Sequence, residues 1–190
     1  EPEVRKFYLA GKLYHMPKLW RWNFRNGQLP VIRMDIVDKL KLPAPKSFEE
    51  LSQVLKAMKT AYPKSFPYTA RGLDNLLCMS YALSVPYKLD WDPDIDGGRW
   101  IYGSARPEFR ATLEWLSKLY KEGILDPDYA SIGGPQWQER LGSGRSFFYF
   151  DNANFSFNMN TVIERSEGTK NAYRVLPTLT NYEGRTRNRL

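Results

Sequence analysis

The chain has 190 residues, 42% of them hydrophobic and 15% aromatic, and 28 Lys plus Arg against 21 Asp plus Glu give a formal charge of +7. That apolar content excludes intrinsic disorder, no run of about 18 apolar residues offers a membrane span, and no recurring period supports a repeat, collagen-like or coiled-coil architecture. A single cysteine, Cys78, excludes an internal disulfide and a cysteine-cluster metal site, and a single histidine, His15, excludes a histidine-rich metal site and makes triad chemistry a poor fit.

In chain order, residues 12–16 (KLYHM) read as a short strand stopped by Pro17. A polar, aromatic loop follows, and the Asn26-Gly27 pair marks a turn. Residues 29–33 (LPVIR) read as a buried strand, 35–40 as a short helix, and Leu42-Pro43-Ala44-Pro45 as a connection. Residues 47–61 form the clearest helix. Ser47 and Glu50 have capping-box spacing, and Phe48, Leu51, Val54, Leu55 and Met58 repeat along one face. Residues 66–69 read as a short strand, and Gly72 opens an apolar helix through Leu83. Residues 87–91 and 99–102 flank the turn-rich run Asp92-Pro93-Asp94-Ile95-Asp96-Gly97-Gly98 as a hairpin or an excursion. Pro107 suits a first helical position. Phe109, Leu113, Leu116, Leu119 and Tyr120 give a second stripe that stops at Gly123. Residues 137–141 read as a short helix, 146–150 as an aromatic buried strand, 154–165 as a helix and 173–176 as a last strand. This alternation predicts an α/β fold, a mixed sheet with helices on both faces.

The motifs in this order resemble one family, the bacterial extracellular solute-binding proteins, family 1, that serve ABC importers and often take oligosaccharides. Residues 11–17 (GKLYHMP) resemble the family's G-K-I-Y-G-L-P, and residues 32–42 (IRMDIVDKLKL) its I-R-K-D-W-L-D-K-L-G-L. Residues 45–51 (PKSFEEL) resemble P-x-T-x-x-E-L, and residues 119–128 (LYKEGILDPD) resemble L-Y-K-E-G-L-I-D-P-E. Residues 144–150 and 173–177 resemble the closing strands. His15-Met16 and Ile36 depart from the pattern. Ala61-Tyr62-Pro63-Lys64 stands where some relatives carry an acidic calcium loop, so no calcium site is expected there. The resemblance implies a periplasmic-binding-protein-like (type II) lobe. Residues 1–17 would be a hinge-strand segment, 18–177 the second lobe of a bilobal protein, and 178–190 a return crossing or tail. It implies a carbohydrate ligand (an oligosaccharide or acidic sugar), ABC permease subunits and a missing first lobe as partners, no nucleic acid, no cofactor, no catalysis, and an extracytoplasmic or lipoprotein location.

Sugars need flat apolar surface and convergent hydrogen-bond partners, and α/β sheets hold ligands at strand ends. Three places supply such groups. The first is Lys18, Trp20, Arg21 and Trp22 in the aromatic loop, which could equally be rings packed on the fold. The second is Arg71, Asp74 and Asn75, where Asp74 and Asn75 could instead cap a helix. The third is Asp151, Asn152, Asn154 and Phe155, where a cap is again the alternative; the resemblance favours ligand contact there. Asp92, Asp94 and Asp96 begin like a calcium loop, but Gly103 replaces the twelfth-position Glu, so no metal is expected. Cys78 reads as a buried small hydrophobe and His15 as structural. Two other function classes remain open: a carbohydrate-active enzyme or accessory sugar-binding domain, and a nucleic-acid or anionic-polymer binder suggested by charge alone.

Overall fold

The computed structural model describes residues 2–5, 7–14, 28–83, 87–92, 98–177 and 179. A short helix α1 (Pro2–Arg5) precedes a small antiparallel ribbon of β1 (Tyr8–Leu9) and β2 (Lys12–Leu13). The expected strand over residues 12–16 is thus confined to its first two residues, Tyr14 is coil, and His15 onward lies outside the described residues.

The centre of the fold is β3 (Gln28–Arg33), flanked by β6 (Phe148–Asn152) and β7 (Tyr173–Val175), both antiparallel to it. Isolated bridges extend this sheet beyond β6. Tyr68 pairs in parallel with Phe148 on one side and with Leu125 on the other. The expected strand at 66–69 is therefore one bridge, held by Thr69 N–H to Phe148 O and Asp126 N–H to Tyr68 O. Pro30 explains where β7 ends. Its carbonyl accepts from Leu176 N–H at 2.8 Å, but proline has no N–H to return the bond, so the ladder stops there.

Alternation along the strands sends side chains into two cores. Ile32, Phe148 and Phe150 join one cluster with α2 (Met34–Lys39), α3 (Phe48–Ala61), α4 (Leu73–Leu77) and α5 (Pro107–Lys121). Val31, Tyr149 and Tyr173 join the other with α6 (Gly134–Gly142) and α7 (Phe155–Glu167). A sheet buried on both faces carries continuous apolar runs, as LPVIR and SFFYF do. A short helical turn, Cys78–Leu83, continues α4, and the hairpin β4 (Leu89–Asp92) and β5 (Arg99–Tyr102) stands apart from the main sheet.

The α3 stripe is buried as expected. Its capping box closes in a displaced form. Ser47 Oγ accepts from Glu50 N–H, but the Glu50 carboxylate takes the N–H of Lys46, not of Ser47. The α5 stripe needs correction. Leu113 and Tyr120 are exposed, and the buried face is Phe109, Thr112, Trp115, Leu116 and Leu119. The reason is Trp115, whose indole N–H donates to Ser52 Oγ of α3 at 2.8 Å while its ring meets Phe48 edge to face at 5.4 Å. That contact turns the helix so that Leu113 points outward. The apolar helix expected through Leu83 also breaks at Cys78, where α-helix gives way to the tighter turn.

At the end of β3, the buried Arg33 forks onto Asp35 at 2.8 and 2.7 Å and reaches Glu167 of α7 at 2.7 Å, with its guanidinium 5.7 Å from the Tyr173 ring centre. One side chain thereby ties β3, α2, α7 and β7 together. Leu55→Ala, in the α3 core, is expected to lower unfolding free energy by about 3 kcal/mol. Leu113→Ala is expected to change it by less than about 0.5 kcal/mol. Urea denaturation of both variants checks the orientation of α5; a large loss at Leu113 contradicts it.

Candidate functional site

The segments at Leu125 and Tyr68 and the strand β6 all run the same way, so their following residues emerge at one edge of the sheet. Asp126, Arg71 and Asp151 arrive there. β3 runs the other way and begins at the same edge, with Gln28 opposite Asn152.

Asp151 is only 1% exposed. A carboxylate so removed from water requires a cation or several donors. Arg71 supplies a two-pronged contact, Nε to Oδ2 and Nη2 to Oδ1, the latter at 3.0 Å. The N–H of Asn152 adds a third donor at 2.6 Å. The Arg71 guanidinium also lies over two rings, 5.3 Å from the centre of Phe155 and 5.9 Å from that of Trp137. Those rings meet edge to face at 5.1 Å. The hydrogen bond to Asp151 is the main reason that Arg71 holds its proton more tightly than an ordinary arginine. The Arg71 side chain remains 40% exposed, and its Nη1 has no hydrogen-bond partner among the described residues. The edge therefore presents a half-exposed cation on an aromatic bed, with a buried anion beneath.

Of the second group of sequence-predicted residues, only Arg71 joins this arrangement. The helix α4 starts after Gly72, whose φ of 96° lets the chain turn from strand into helix. Asp74 and Asn75 sit inside α4 rather than at its cap, so the capping alternative is overturned. The exposed Asp74 accepts from Lys88 Nζ at 2.8 Å. Asn75 is buried, and its Oδ1 has no partner among the described residues.

In the third group, Asn154 occupies the N-cap of α7 but makes no side-chain cap bond. Asn152 does the local work instead, as its Oδ1 accepts from Asn154 N–H at 3.0 Å. Phe155, the first residue of α7, forms part of the aromatic bed. The first group, Lys18, Trp20, Arg21 and Trp22, lies outside the described residues, as do Asp94 and Asp96. Among the described residues, no three His, Cys, Asp or Glu side chains cluster so as to hold a metal ion.

Several residues were not singled out in the sequence. Trp137 and Tyr149 meet edge to face at 5.2 Å below Arg71. The Trp137 indole nitrogen and the Tyr149 and Tyr68 hydroxyls are buried without partners among the described residues. Period-two counting along β6 from Asp151 leads to Tyr149; no comparable signal marks Trp137. Burial raises both tyrosine hydroxyls above their ordinary pKa, with Asp151 adding to the effect, so both stay protonated donors. Beside them a second buried pair locks the edge. Arg140 reaches Asp126 and, at 2.7 Å, Asp128, while Thr69 Oγ1 donates to Asp126 at 3.1 Å.

No protein-family model matches the chain. It is 26% identical over 151 residues to the polygalacturonan/rhamnogalacturonan-binding protein YtcQ of Bacillus subtilis, a match covering 76% of this chain and 29% of that protein. It is 22% identical over 154 residues to lipoprotein LipO of the same organism, covering 72% of this chain and 29% of LipO. The crystal structure of the alginate-binding protein AlgQ2 without calcium ion superposes with a TM-score of 0.70 at 22% identity, over 84% of this chain and 34% of AlgQ2. The chain thus spans about a third of the length of the proteins it matches, and it has the periplasmic-binding-protein-like fold of the aligned part of AlgQ2.

Two measurements probe this edge. Arg71→Met leaves the buried Asp151 carboxylate without its cation and is expected to lower stability by about 2 kcal/mol, below the full cost of an orphaned buried charge because Arg71 is partly solvated. Arg71→Met with Asp151→Asn should recover most of that loss in urea denaturation, and no recovery contradicts the pairing. Cys78 is buried, its Sγ bonded to Asp74 O at 3.1 Å, and burial raises its thiol pKa. Its alkylation at neutral pH should be at least about 100-fold slower in the folded chain than in urea.

Proposed function

We propose that this chain is the second lobe of an extracytoplasmic solute-binding protein that captures a carbohydrate, an oligosaccharide or acidic sugar, for an ABC importer. The observation that carries the reading is the sheet edge where Arg71 sits over Trp137 and Phe155 and pairs with Asp151, beside Asn152 and Asn154. A sugar ring offers an apolar C–H face and a rim of hydroxyls, and this edge offers the partly exposed Phe155 ring, a cation and amides. Similarity to a polygalacturonan/rhamnogalacturonan-binding and an alginate-binding protein supports the acidic-sugar version, as does the charge of +7. The loop with Lys18, Trp20, Arg21 and Trp22 leads by sequence into β3, which begins at the same edge, and we assign those residues to the ligand as well.

The site contributes by binding, without catalysis. A first lobe would close over the sheet edge, and the permease would read the closed form. Half of such a cleft holds only part of the ligand's contacts. Calorimetry of the 190-residue chain with trigalacturonate is therefore expected to give a Kd of about 1 mM or weaker. The same lobe within a two-lobed protein is expected to bind at least about 100-fold tighter. Micromolar binding by the single chain contradicts the half-cleft reading. Turnover of a chromogenic glycoside contradicts the assignment as a binding protein.

A further inference from the structure

We propose that the outer face of the β4–β5 hairpin is a second carbohydrate contact, a stacking surface for one or two pyranose rings of the ligand held at the sheet edge; the inference rests on the sugar-binding reading above. The strands pair Leu89 with Tyr102 and Trp91 with Trp100. Side chains directly opposite, and two apart along a strand, share one face, so these four large apolar residues form one surface. Each is between 46% and 64% exposed. Ile101, on the other face, is buried and seats the ribbon on the fold.

The surface is built rather than loose. The Trp91 and Trp100 rings meet edge to face with centres 5.8 Å apart. Gly98, with φ of 100°, lies so close under the Trp91 indole that a Cβ there would overlap the ring. The root of the hairpin is tied to α4, the helix that follows Arg71. Lys88, next to Leu89, donates to Asp74, three residues along from Arg71, and Gly103 N–H bonds to Lys88 O at 3.1 Å.

Size and chemistry select the occupant. Three aromatic rings and a leucine, each about half exposed, offer on the order of 400 Å², half of what a stable protein interface needs from each partner. Such an area matches one or two sugar rings. The exposed Tyr102 side chain, on the same face as the two indoles, supplies a hydroxyl for sugar hydroxyls, which a purely apolar partner does not need.

The test is NMR of the indole N–H signals in the nitrogen-15-labelled chain, titrated with trigalacturonate and with maltotriose to about 20 mM, above the weak affinity expected of one lobe. Trp91→Phe and Trp100→Phe identify the two hairpin signals, and Trp137 reports the sheet edge separately. Trp91 and Trp100 are expected to shift together along one saturable curve with at least one trisaccharide. Trp100→Ala, at a surface position, should weaken the Trp91 response about tenfold, and Gly98→Ala, which pushes Trp91 off its seat, should do the same to Trp100. A response at Trp137 without one at Trp91 and Trp100 overturns this proposal and leaves the sugar-binding reading standing. No response at any indole overturns both. Shifts at Trp91 and Trp100 that follow protein concentration and ignore sugar identify a second copy as the occupant and overturn the proposal.

Discussion

Asp151 is a carboxylate with almost no access to water, placed at the last buried position of the central aromatic strand. A carboxylate buried there calls for a cation beside it. Arg71 is that cation, delivered by the parallel segment that bridges at Tyr68. Once drawn to Asp151, the guanidinium spreads over Trp137 of α6 and Phe155 of α7. A single electrostatic requirement thus gathers β6, the segment bridged at Tyr68 and two helices at one edge. The same requirement leaves a partly exposed cation on aromatic rings, an arrangement suited to a ring-shaped polar ligand.

Most of the fold was legible because its signals are local. The α3 stripe and its Ser47 cap follow from spacing and short-range hydrogen bonding, and the double burial of β3 and β6 follows from their unbroken apolar runs. What was not legible depends on contacts distant in sequence. Leu113 and Thr112 compete for the core face of α5, and the indole of Trp115 reaching Ser52 of α3 settles it. Asp74 and Asn75 read as caps because their residue types favour caps, yet the positive φ of Gly72 starts the helix earlier.

The site was legible in part for the same reason. Arg71, Asp151, Asn152, Asn154 and Phe155 stand at strand-to-helix junctions, which the alternation of elements locates. Their pairing spans 80 positions and is invisible to spacing. Trp137 is a buried core residue of α6 that no sequence signal singled out. Its second role, as the bed for Arg71, exists only because Asp151 fixes the guanidinium above it. The hairpin aromatics were read only as strand residues, since exposure is set by tertiary placement and not by residue type.

The central claim is that the edge defined by Arg71 and Asp151 faces the ligand. Crystals of the chain soaked with trigalacturonate test it most directly. The predicted result is sugar density with an oxygen within hydrogen-bonding distance of Arg71, Asn152 or Asn154. Sugar bound only elsewhere on the chain, with this edge still open to solvent, would contradict it.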